Sequence, residues 1–221
     1  MSHSDPTLSI GLYDLAPPGV RIGHRLITDG DENALLQTEV ASFRNSITKV
    51  RRQSGAVRIV ARGLLSNMGF REIALPRAAG GSPIWPATIV GSLAHDDTIA
   101  VAAVAYAQQL ACLGIDIESP EPLPPELIST VTTPSERRQY SSALIKSRLF
   151  FVIKEATYKA LQPIDGIFLD FHDMEIDLNK MICETSSGMR THISFILVPR
   201  VVAISFQLNH YAQELTRPKL R

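Results

Sequence analysis

The segment Phe150–Leu161, with the sequence FFVIKEATYKAL, restricts the fold more than any other part of the chain. Apolar and small residues recur in it every three or four positions, and it contains neither glycine nor proline, which predicts an α-helix. In the middle of this apolar helix Lys154 and Glu155 are adjacent, and Lys159 follows one turn later. Because a surface helix normally spreads its charges over a solvated face, these few charges either form an ion pair between Glu155 and Lys159 or line a site.

The composition describes a globular chain that can form one large domain or two smaller ones. Of the 221 residues, 45% are hydrophobic and 20% are charged, which is enough apolar material for a full core and argues against long disordered segments. The formal net charge of +0 argues against a surface built to bind nucleic acid.

The sequence contains no signal for a membrane or for an oxidising compartment. The two cysteines, Cys112 and Cys183, have no metal-ligand spacing and form no disulfide framework. The N-terminal segment MSHSDPTLSI lacks the pattern of a signal peptide, and no run approaches the roughly 20 apolar residues of a membrane span. We therefore expect a soluble, cytoplasmic protein that does not contact a membrane.

Charge is distributed unevenly along the chain. Between Arg44 and Arg77 there are eight basic residues and one acidic residue, whereas between Thr98 and Glu136 there are five acidic residues and no lysine or arginine. A basic half and an acidic centre that cancel in the sum can together form a site for an anion and a cation.

Hydrophobic periodicity predicts a mixed α+β chain. We expect helices at Thr48–Met68, at Glu126–Tyr140 with a break near Pro134, and at Ala143–Leu161. We expect strands at Leu8–Leu15, Val20–Ile27, Thr88–Leu93, Thr98–Tyr106, Leu113–Glu118, Phe168–Leu178, His192–Val198 and Val201–Leu208, the last two forming a hairpin.

The predicted helix Thr48–Met68 carries three arginines on one side. Arg51, Arg58 and Arg62 fall within roughly 40° of each other around the helix axis, and Gly55 lies on the same stripe. Guanidinium groups match phosphate oxygens, and a glycine permits close approach, so this stripe suits a ligand that carries phosphate. A solvated helix face is the alternative.

The predicted strand Leu113–Glu118 places two carboxylates side by side. Alternation puts Asp116 and Glu118 on one face and Ile115 and Ile117 on the other. Two carboxylates on one strand face repel each other unless a cation lies between them, and such hard oxygen ligands suit Mg²⁺ better than zinc. The alternative is an exposed strand face, which is also how we interpret the acidic residues of Phe168–Leu178.

Two further features lie between these elements. The loop Arg77–Pro86 contains Gly80-Gly81, which allows the backbone to approach a ligand, and Trp85, which either anchors the loop or contributes to a site. His95 ends the predicted strand that precedes the acidic centre and is either structural or functional. The common nucleotide-binding and hydrolase motifs are absent from the sequence.

Three motifs occur together and in a familiar order: GSLAH at 91–95, LGIDIE at 113–118 and FFVIKEATYKAL at 150–161. They resemble the 4′-phosphopantetheinyl transferase superfamily, in the branch of the surfactin-type enzymes and enterobactin synthetase component D. The resemblance extends to VRIVARGLL at 57–65 and PIWP at 83–86, so that it covers about Arg51 to Asp177.

The resemblance implies a fold and a reaction. The fold would have two similar subdomains, 1–112 and 113–221, related by a pseudo-two-fold axis, each with an antiparallel sheet and packed helices and with the site in the cleft between them. The enzyme would transfer the phosphopantetheine arm of coenzyme A to a serine of an apo acyl or peptidyl carrier protein with Mg²⁺, or with Mn²⁺ as the alternative metal, and release 3′,5′-ADP. Because one chain holds both halves, we expect a monomer.

The resemblance also implies residue roles. The metal would be held by Asp116, the carbonyl of Ile117, Glu118 and Glu155. Catalysis would involve Glu155, Lys159 and Asp116, with Glu155 acting as metal ligand, general base or both. Coenzyme A would be bound by Arg51, Arg58, Arg62, Arg77, Gly81, Ser82, Pro83, Ala94, His95, Lys154 and Lys159.

Some positions depart from the family pattern. Ala94 stands where a Ser or Thr is usual, so that one hydroxyl donor to the ligand is lost. Either Arg51 or Arg52 would face the ligand, and Asp96 would either weaken anion binding or form a hydrogen bond to His95. For docking of an acidic carrier protein we favour the segment 120–140. A non-catalytic binding relative and a Mg²⁺-dependent phosphoesterase are the rival functions.

Overall fold

The computed structural model describes residues 5–139, 144–166 and 168–209. Within these residues no helix is long and apolar enough to cross a membrane. The predicted helix boundaries at Tyr140 and Ala143 lie outside the described residues.

The described residues form six α-helices, three short 3₁₀ segments and eight strands. The helices are α1 (Pro6–Leu15), α2 (Gln37–Val40), α3 (Thr48–Ser66), α4 (Pro125–Val131), α5 (Pro134–Gln139) and α6 (Leu144–Asp165). The strands are β1 (Arg21–Leu26), β2 (Ile89–His95), β3 (Ile99–Tyr106), β4 (Leu110–Glu118), β5 (Met174–Asp177), β6 (Ile182–Thr185), β7 (Arg190–Ile196) and β8 (Val201–Leu208). The 3₁₀ segments are Asp31–Ala34, Ala41–Phe43 and Phe171–Asp173.

The strands form two antiparallel sheets. The first has three strands in the order β1-β3-β2, and the second has five strands in the order β4-β8-β7-β6-β5. The helix α3 packs on the first sheet, and α6 packs on β4 and β8 of the second. Each half is therefore a long helix on an antiparallel sheet, which confirms the predicted α+β fold.

The two halves share one core. Apolar residues of α1 and of the first sheet pack directly against Leu113, Ile115 and Ile117 of β4 and Ile204 of β8. The predicted boundary between residues 112 and 113 falls within β4, so a strand and not a linker joins the halves. The assignment of two subdomains remains a prediction.

Two strand predictions were wrong. The segment Leu8–Leu15 lies within the helix α1, whose N-terminus is capped by the Asp5 carboxylate that accepts hydrogen bonds from the backbone N–H groups of Thr7 and Leu8. Its buried residues Leu8, Leu12 and Leu15 recur at helical spacing, and this periodicity favours helix over the strand reading.

The segment Phe168–Leu178 is a strand only in its second half. The Asp170 side chain accepts a hydrogen bond from the N–H of Phe171 and starts a 3₁₀ turn, after which β5 begins at Met174. In β5 the side chains of Met174 and Ile176 are buried while Glu175 is exposed, which agrees with the predicted half-exposed strand.

Candidate active site

A cleft of about 330 Å³ lies between the two halves. Its volume is within the range of small-molecule sites. One wall comes from α3, the loop that follows it and β2, and the other comes from α6. The first wall includes Phe43, Ser54, Arg58, Arg77, Trp85, Ser92 and His95, and the second includes Glu155, Tyr158, Lys159 and Gln162.

Arg58 forms the buried part of the basic wall. Its side chain is 3% exposed, and it donates hydrogen bonds from Nε to the Leu75 carbonyl (3.0 Å) and from Nη1 to the Ser54 carbonyl (3.0 Å). Burial, together with the nearby charges of Arg77 and Arg62, lowers the pKa of Arg58 to about 10. Arg58 therefore remains a cation at neutral pH, and an anion in the cleft would offset its buried charge.

Arg77 forms the exposed part of the basic wall and is held by its own loop. Its Nε donates to the carbonyl of Gly81 (3.0 Å), and Arg77 forms a β-bridge with Pro83. Gly81 has a φ of 90°, which is costly for residues with a side chain. The predicted ligand loop of Gly81, Ser82 and Pro83 thus lines the cleft with Arg77 at its base.

Two glycines allow neighbouring elements to pack closely together at the cleft. A Cβ on Gly91 would lie 2.8 Å from the Trp85 ring, so Gly91 lets the indole pack against β2. A Cβ on Gly80 would lie 2.6 Å from Nε2 of Gln162 in α6. The Gly-Pro loop of the first half therefore contacts the helix of the second half at one end of the cleft.

His95 ends β2 at the cleft, close to Lys159 and Asp116. Burial is the main cause that lowers the pKa of His95, and the Lys159 charge lowers it further. Its Nδ1 lies 3.1 Å from the backbone carbonyl of Asp96. The Asp96 carboxylate instead binds Arg200 (2.7 Å), so it neither bonds the imidazole nor remains an uncompensated charge beside the cleft.

Asp116 of β4 and Lys159 of α6 form an ion pair within the second half. The Lys159 Nζ lies 2.5 Å from Asp116 Oδ1, while Asp116 Oδ2 is buried and has no hydrogen-bond partner among the described residues. Burial raises the pKa of Asp116 although Lys159 opposes this. Of the two alternatives for the charged helix, the structure thus shows Lys159 paired with Asp116 and not with Glu155.

Glu118 and Glu155 flank this pair. Glu118 binds Arg148 (3.2 Å), and Glu155 lines the cleft. Burial raises the pKa of both carboxyls, and the negative charge of Asp116 raises each of them further. Asp116 is therefore close enough to both glutamates to destabilise their charged forms.

The carboxylates fit a divalent cation in their chemistry but do not form a finished coordination shell. The buried, unpartnered Oδ2 of Asp116 is a hard oxygen donor of the kind that Mg²⁺ takes. Among the described residues, however, no group of three or more His, Cys, Asp or Glu side chains is placed to hold a metal ion. Lys159 and Arg148 hold oxygens of Asp116 and Glu118, and the Ile117 side chain packs in the core, which leaves only its backbone carbonyl for a ligand.

Lys154 is not in the cleft, contrary to its predicted contact with coenzyme A. Its side chain is 0% exposed, and Nζ donates to Glu136 Oε2 (2.9 Å) and to the carbonyls of Val131 (2.9 Å) and Phe171 (2.8 Å). With three acceptors inside the second half, this ammonium has a structural position.

Three other predicted ligand residues also lie away from the cleft lining. Arg62 donates to Glu39 and to the Ala34 carbonyl, and Arg51 contacts Thr48 within its own helix. Ala94 is buried in the core that the halves share and does not line the cleft. The alanine at this position therefore removes no hydroxyl donor from the cleft wall.

The other arginine and the glycine of the same helix also have structural partners. Arg52 forms ion pairs with Asp29 and Glu32. Gly55 packs against the backbone of Asp31, because a Cβ on Gly55 would lie 1.9 Å from the Asp31 carbonyl oxygen.

Sequence reasoning missed several residues that shape the cleft. The Phe43 ring contacts the guanidiniums of both Arg58 and Arg77, and the fully buried Glu39 binds the helix that carries Arg58. Glu39 and Phe43 lie in a short segment with weak hydrophobic periodicity, so no sequence pattern indicates a role for either residue. Ser92, by contrast, stands within the quoted GSLAH motif and could have been assigned.

Comparison with known proteins identifies the family of the chain. The model of the 4′-phosphopantetheinyl transferase N-terminal domain matches residues 38–105, and the model of the 4′-phosphopantetheinyl transferase superfamily matches residues 112–195. The 4′-phosphopantetheinyl transferase Npt of Nocardia iowensis is 38% identical over 157 residues, which cover 70% of this chain and 71% of that protein. The chain belongs to the 4′-phosphopantetheinyl transferase superfamily.

Two other relatives carry the same description. Svp of Streptomyces mobaraensis is 34% identical over 154 residues, which cover 67% of this chain and 63% of that protein. PptT of Mycobacterium tuberculosis is 33% identical over 145 residues, which cover 64% of each protein. The chain spans somewhat less than two thirds of the length of these two relatives. The predicted membership of this transferase family is thereby confirmed.

Proposed function

We propose that this transferase moves the 4′-phosphopantetheine arm of coenzyme A to a serine hydroxyl of an apo acyl or peptidyl carrier protein and releases 3′,5′-ADP. The observation that supports this most strongly is the cleft itself, where the basic wall of Arg58, Arg77 and His95 faces Lys159 and Glu155. The relatives named as 4′-phosphopantetheinyl transferases support the same activity.

The basic wall would bind the phosphates of coenzyme A. Arg58 and Arg77 offer guanidinium donors that match phosphate oxygens, His95 lies on the same wall, and Lys159 offers a further donor from the opposite wall. The loop of Gly81 and its neighbours, with its backbone open to the cleft, would lie against the adenine.

Asp116, Glu118, Glu155 and the carbonyl of Ile117 would hold Mg²⁺, with Mn²⁺ as an alternative. Such an ion would supply positive charge that offsets the charge of the pyrophosphate oxygens. In the structure, the ammonium of Lys159 partly offsets the negative charge of the Asp116 carboxylate.

Glu155 would act as the general base. A serine hydroxyl is a weak nucleophile at neutral pH and must lose its proton to attack phosphorus. Glu155 lines the cleft, where its carboxylate is available to accept that proton. As the serine oxygen forms its bond to phosphorus, the bond to the departing phosphate of 3′,5′-ADP breaks and the serine proton moves to Glu155.

The carrier protein would dock on the second half near α4 and α5. Leu127 is 44% exposed there, and Arg138 near the end of α5 is also exposed, so an apolar and a basic group are available to an acidic carrier. The carrier could belong to a siderophore, polyketide, fatty-acid or nonribosomal-peptide system. We expect the enzyme to act as a cytoplasmic monomer, which sedimentation of the purified protein would test for oligomeric state.

The decisive experiment weighs the carrier. The protein is incubated with coenzyme A, Mg²⁺ and a panel of apo carrier proteins, and each carrier is examined by mass spectrometry. We expect a gain of one phosphopantetheine on at least one carrier, and no gain when its serine is replaced by alanine. Failure on the whole panel would exclude the transferase reading, and release of phosphate without carrier modification would indicate the rival phosphoesterase.

Two variants test the assigned residues. Glu155→Gln should reduce transfer by about 100-fold or more, since general acid–base groups contribute typically 10²–10⁴-fold. Glu118→Ala should also reduce transfer strongly, because it removes an assigned metal ligand. Circular dichroism should show an unchanged fold. Wild-type activity in both variants would refute the assigned base and metal site while leaving the family assignment intact.

A further inference from the structure

Phe43 contacts two guanidinium groups of the basic wall. The Cζ atom of Arg58 is 5.0 Å from the centre of the Phe43 ring, and the Cζ atom of Arg77 is 5.3 Å from it. Both distances are within the range at which a cation is attracted to an aromatic face. The ring is 3% exposed and borders the cleft, so it contacts the buried Arg58 on the protein side and the exposed Arg77 at the surface of the cleft.

Glu39 connects the segments that carry these two arginines. Its carboxylate is 0% exposed and accepts hydrogen bonds from Arg62 Nη1 (3.0 Å), the backbone N–H of Leu75 (2.7 Å) and the backbone N–H of Leu36 (2.8 Å). Arg58 Nε lies 3.5 Å from the same carboxylate and donates to the Leu75 carbonyl. One carboxylate thus ties α2, α3 and the start of the loop that leads to Arg77.

This arrangement holds the positive charges of Arg58, Arg62 and Arg77 near one another although they repel each other. The charges of Arg77 and Arg62 both lower the pKa of Arg58, and only Glu39 raises it. Two of the Arg58 nitrogens are bound to backbone carbonyls, whereas Nη2 makes no hydrogen bond among the described residues. A cation held in this way is ready to bind an anion with little further ordering.

We propose that Phe43 and Glu39 are positioning residues that hold Arg58 and Arg77 ready for a phosphate group in the cleft. The proposal rests on the proposed function only for the identity of the ligand, because the geometry itself calls for an anion. Neither residue needs to touch the ligand. Phe43 fixes the two guanidiniums through its ring faces, and Glu39 fixes the segments on which they are carried.

The test separates loss of the ring from loss of packing. Phe43→Leu keeps an apolar side chain but removes the aromatic faces, whereas Phe43→Tyr retains them. As a control, Leu12→Ala removes a buried side chain of α1 in the core that the halves share. Binding of inorganic pyrophosphate and of 3′,5′-ADP is measured by titration calorimetry, and thermal melting reports the stability of each variant.

We expect Phe43→Leu to weaken binding of both probes by about fivefold, which corresponds to roughly 1 kcal/mol from two weak cation–π contacts. Phe43→Tyr should restore binding, and Leu12→Ala should melt at a lower temperature with binding unchanged. In the transfer assay Phe43→Leu should raise the KM for coenzyme A with kcat nearly unchanged. Glu39→Gln should weaken pyrophosphate binding in the same direction.

Three outcomes would overturn the proposal. These are unchanged pyrophosphate binding in Phe43→Leu, equal weakening in Leu12→Ala, and absence of pyrophosphate binding by the wild-type protein. The proposed function fails differently. A protein that binds pyrophosphate in a Phe43-dependent way but modifies no carrier would support the positioning roles and contradict the transferase reaction.

Discussion

At the scale of single residues, Lys154 and Lys159 show how one helix, α6, places similar side chains in different environments. Lys159 and Glu155 are four residues apart and lie roughly 40° from each other around the helix, whereas Lys154 and Lys159 are five residues apart and lie roughly 140° from each other. Lys159 therefore reaches Asp116 beside the cleft, and Lys154 points into the second half toward Glu136.

Replacement of these lysines by methionine should affect different properties. Lys154→Met leaves the buried Glu136 carboxylate without its cation, and breaking a buried pair typically costs about 3–5 kcal/mol. Lys159→Met leaves Asp116, whose side chain is 8% exposed, without its cation, but Lys159 itself is 30% exposed, so we expect a smaller loss of stability than in Lys154→Met together with a strong reduction of transfer. Urea unfolding and the carrier mass assay measure the two effects. Equal stability of both variants would contradict the structural role of Lys154.

His24 should make the folded protein sensitive to acid. Burial lowers the pKa of His24 and outweighs the opposite effect of Asp5, whose backbone N–H lies 3.0 Å from Nε2. The unfolded chain then takes up the proton more readily, so the free energy of unfolding falls as the pH drops through the ordinary histidine range. Urea midpoints at pH 7 and pH 5 should differ less in His24→Gln than in the wild type, and an equal difference would argue against this titration.

At the scale of secondary structure elements, the contact of β4 with α6 determines how the acidic strand meets the charged helix. Gly114, in the motif LGIDIE, lies directly under α6: a Cβ there would be 1.9 Å from the Ala156 carbonyl oxygen and 2.7 Å from the Ala160 nitrogen. The absence of a side chain at this position allows Asp116 of β4 and Lys159 of α6 to come within 2.5 Å.

Gly114→Ala should therefore push the helix away from the strand. We expect a loss of about 3 kcal/mol or more, at or above the usual range for overpacking, together with loss of transfer activity. Gly63→Ala is the matched control, because a Cβ on this helical glycine meets nothing within 4 Å and should stabilise the protein by about 0.5–1 kcal/mol. Urea unfolding of both variants measures the contrast, and similar stabilities would contradict the proposed close contact.

At the scale of the whole molecule, the two halves are joined by packing and by charge. Core residues of α1 and the first sheet contact β4 and β8 of the second sheet. Across the same interface, the Asp96 carboxylate in the β2–β3 turn binds Arg200 in the β7–β8 turn, and Arg200 also donates to Thr98. The cleft thus depends on contacts that neither half can make alone.

The shared core predicts a single cooperative unfolding transition. Trp85, the only tryptophan of the chain, reports on the first half, whereas far-ultraviolet circular dichroism reports on both halves. Because separating the halves would expose the apolar residues between them, we expect both signals to give the same urea midpoint. Two separate midpoints would show that the halves unfold independently.

Local patterns in the sequence were sufficient for most elements. The helix α3, the central strands β3 and β4 and the β7–β8 hairpin follow the predicted spans to within a few residues. The failure at α1 has a local cause, since Leu8, Leu12 and Leu15 recur at helical spacing but were interpreted as a strand. Motif resemblance identified the family and predicted that Arg58, Arg77, His95, Glu155 and Lys159 contribute to one site. The structure places these five residues in one cleft.

By itself, the sequence determined the family, the α+β fold and the presence of a basic wall and an acidic strand, because these depend on residue type and on spacing along the chain. Only the tertiary structure decided which charges line the cleft. Arg62 and Lys154 have the right type and spacing but are bound by Glu39 and Glu136, two carboxylates distant in sequence. A buried charge must be paired, and its partner is chosen by how the elements pack.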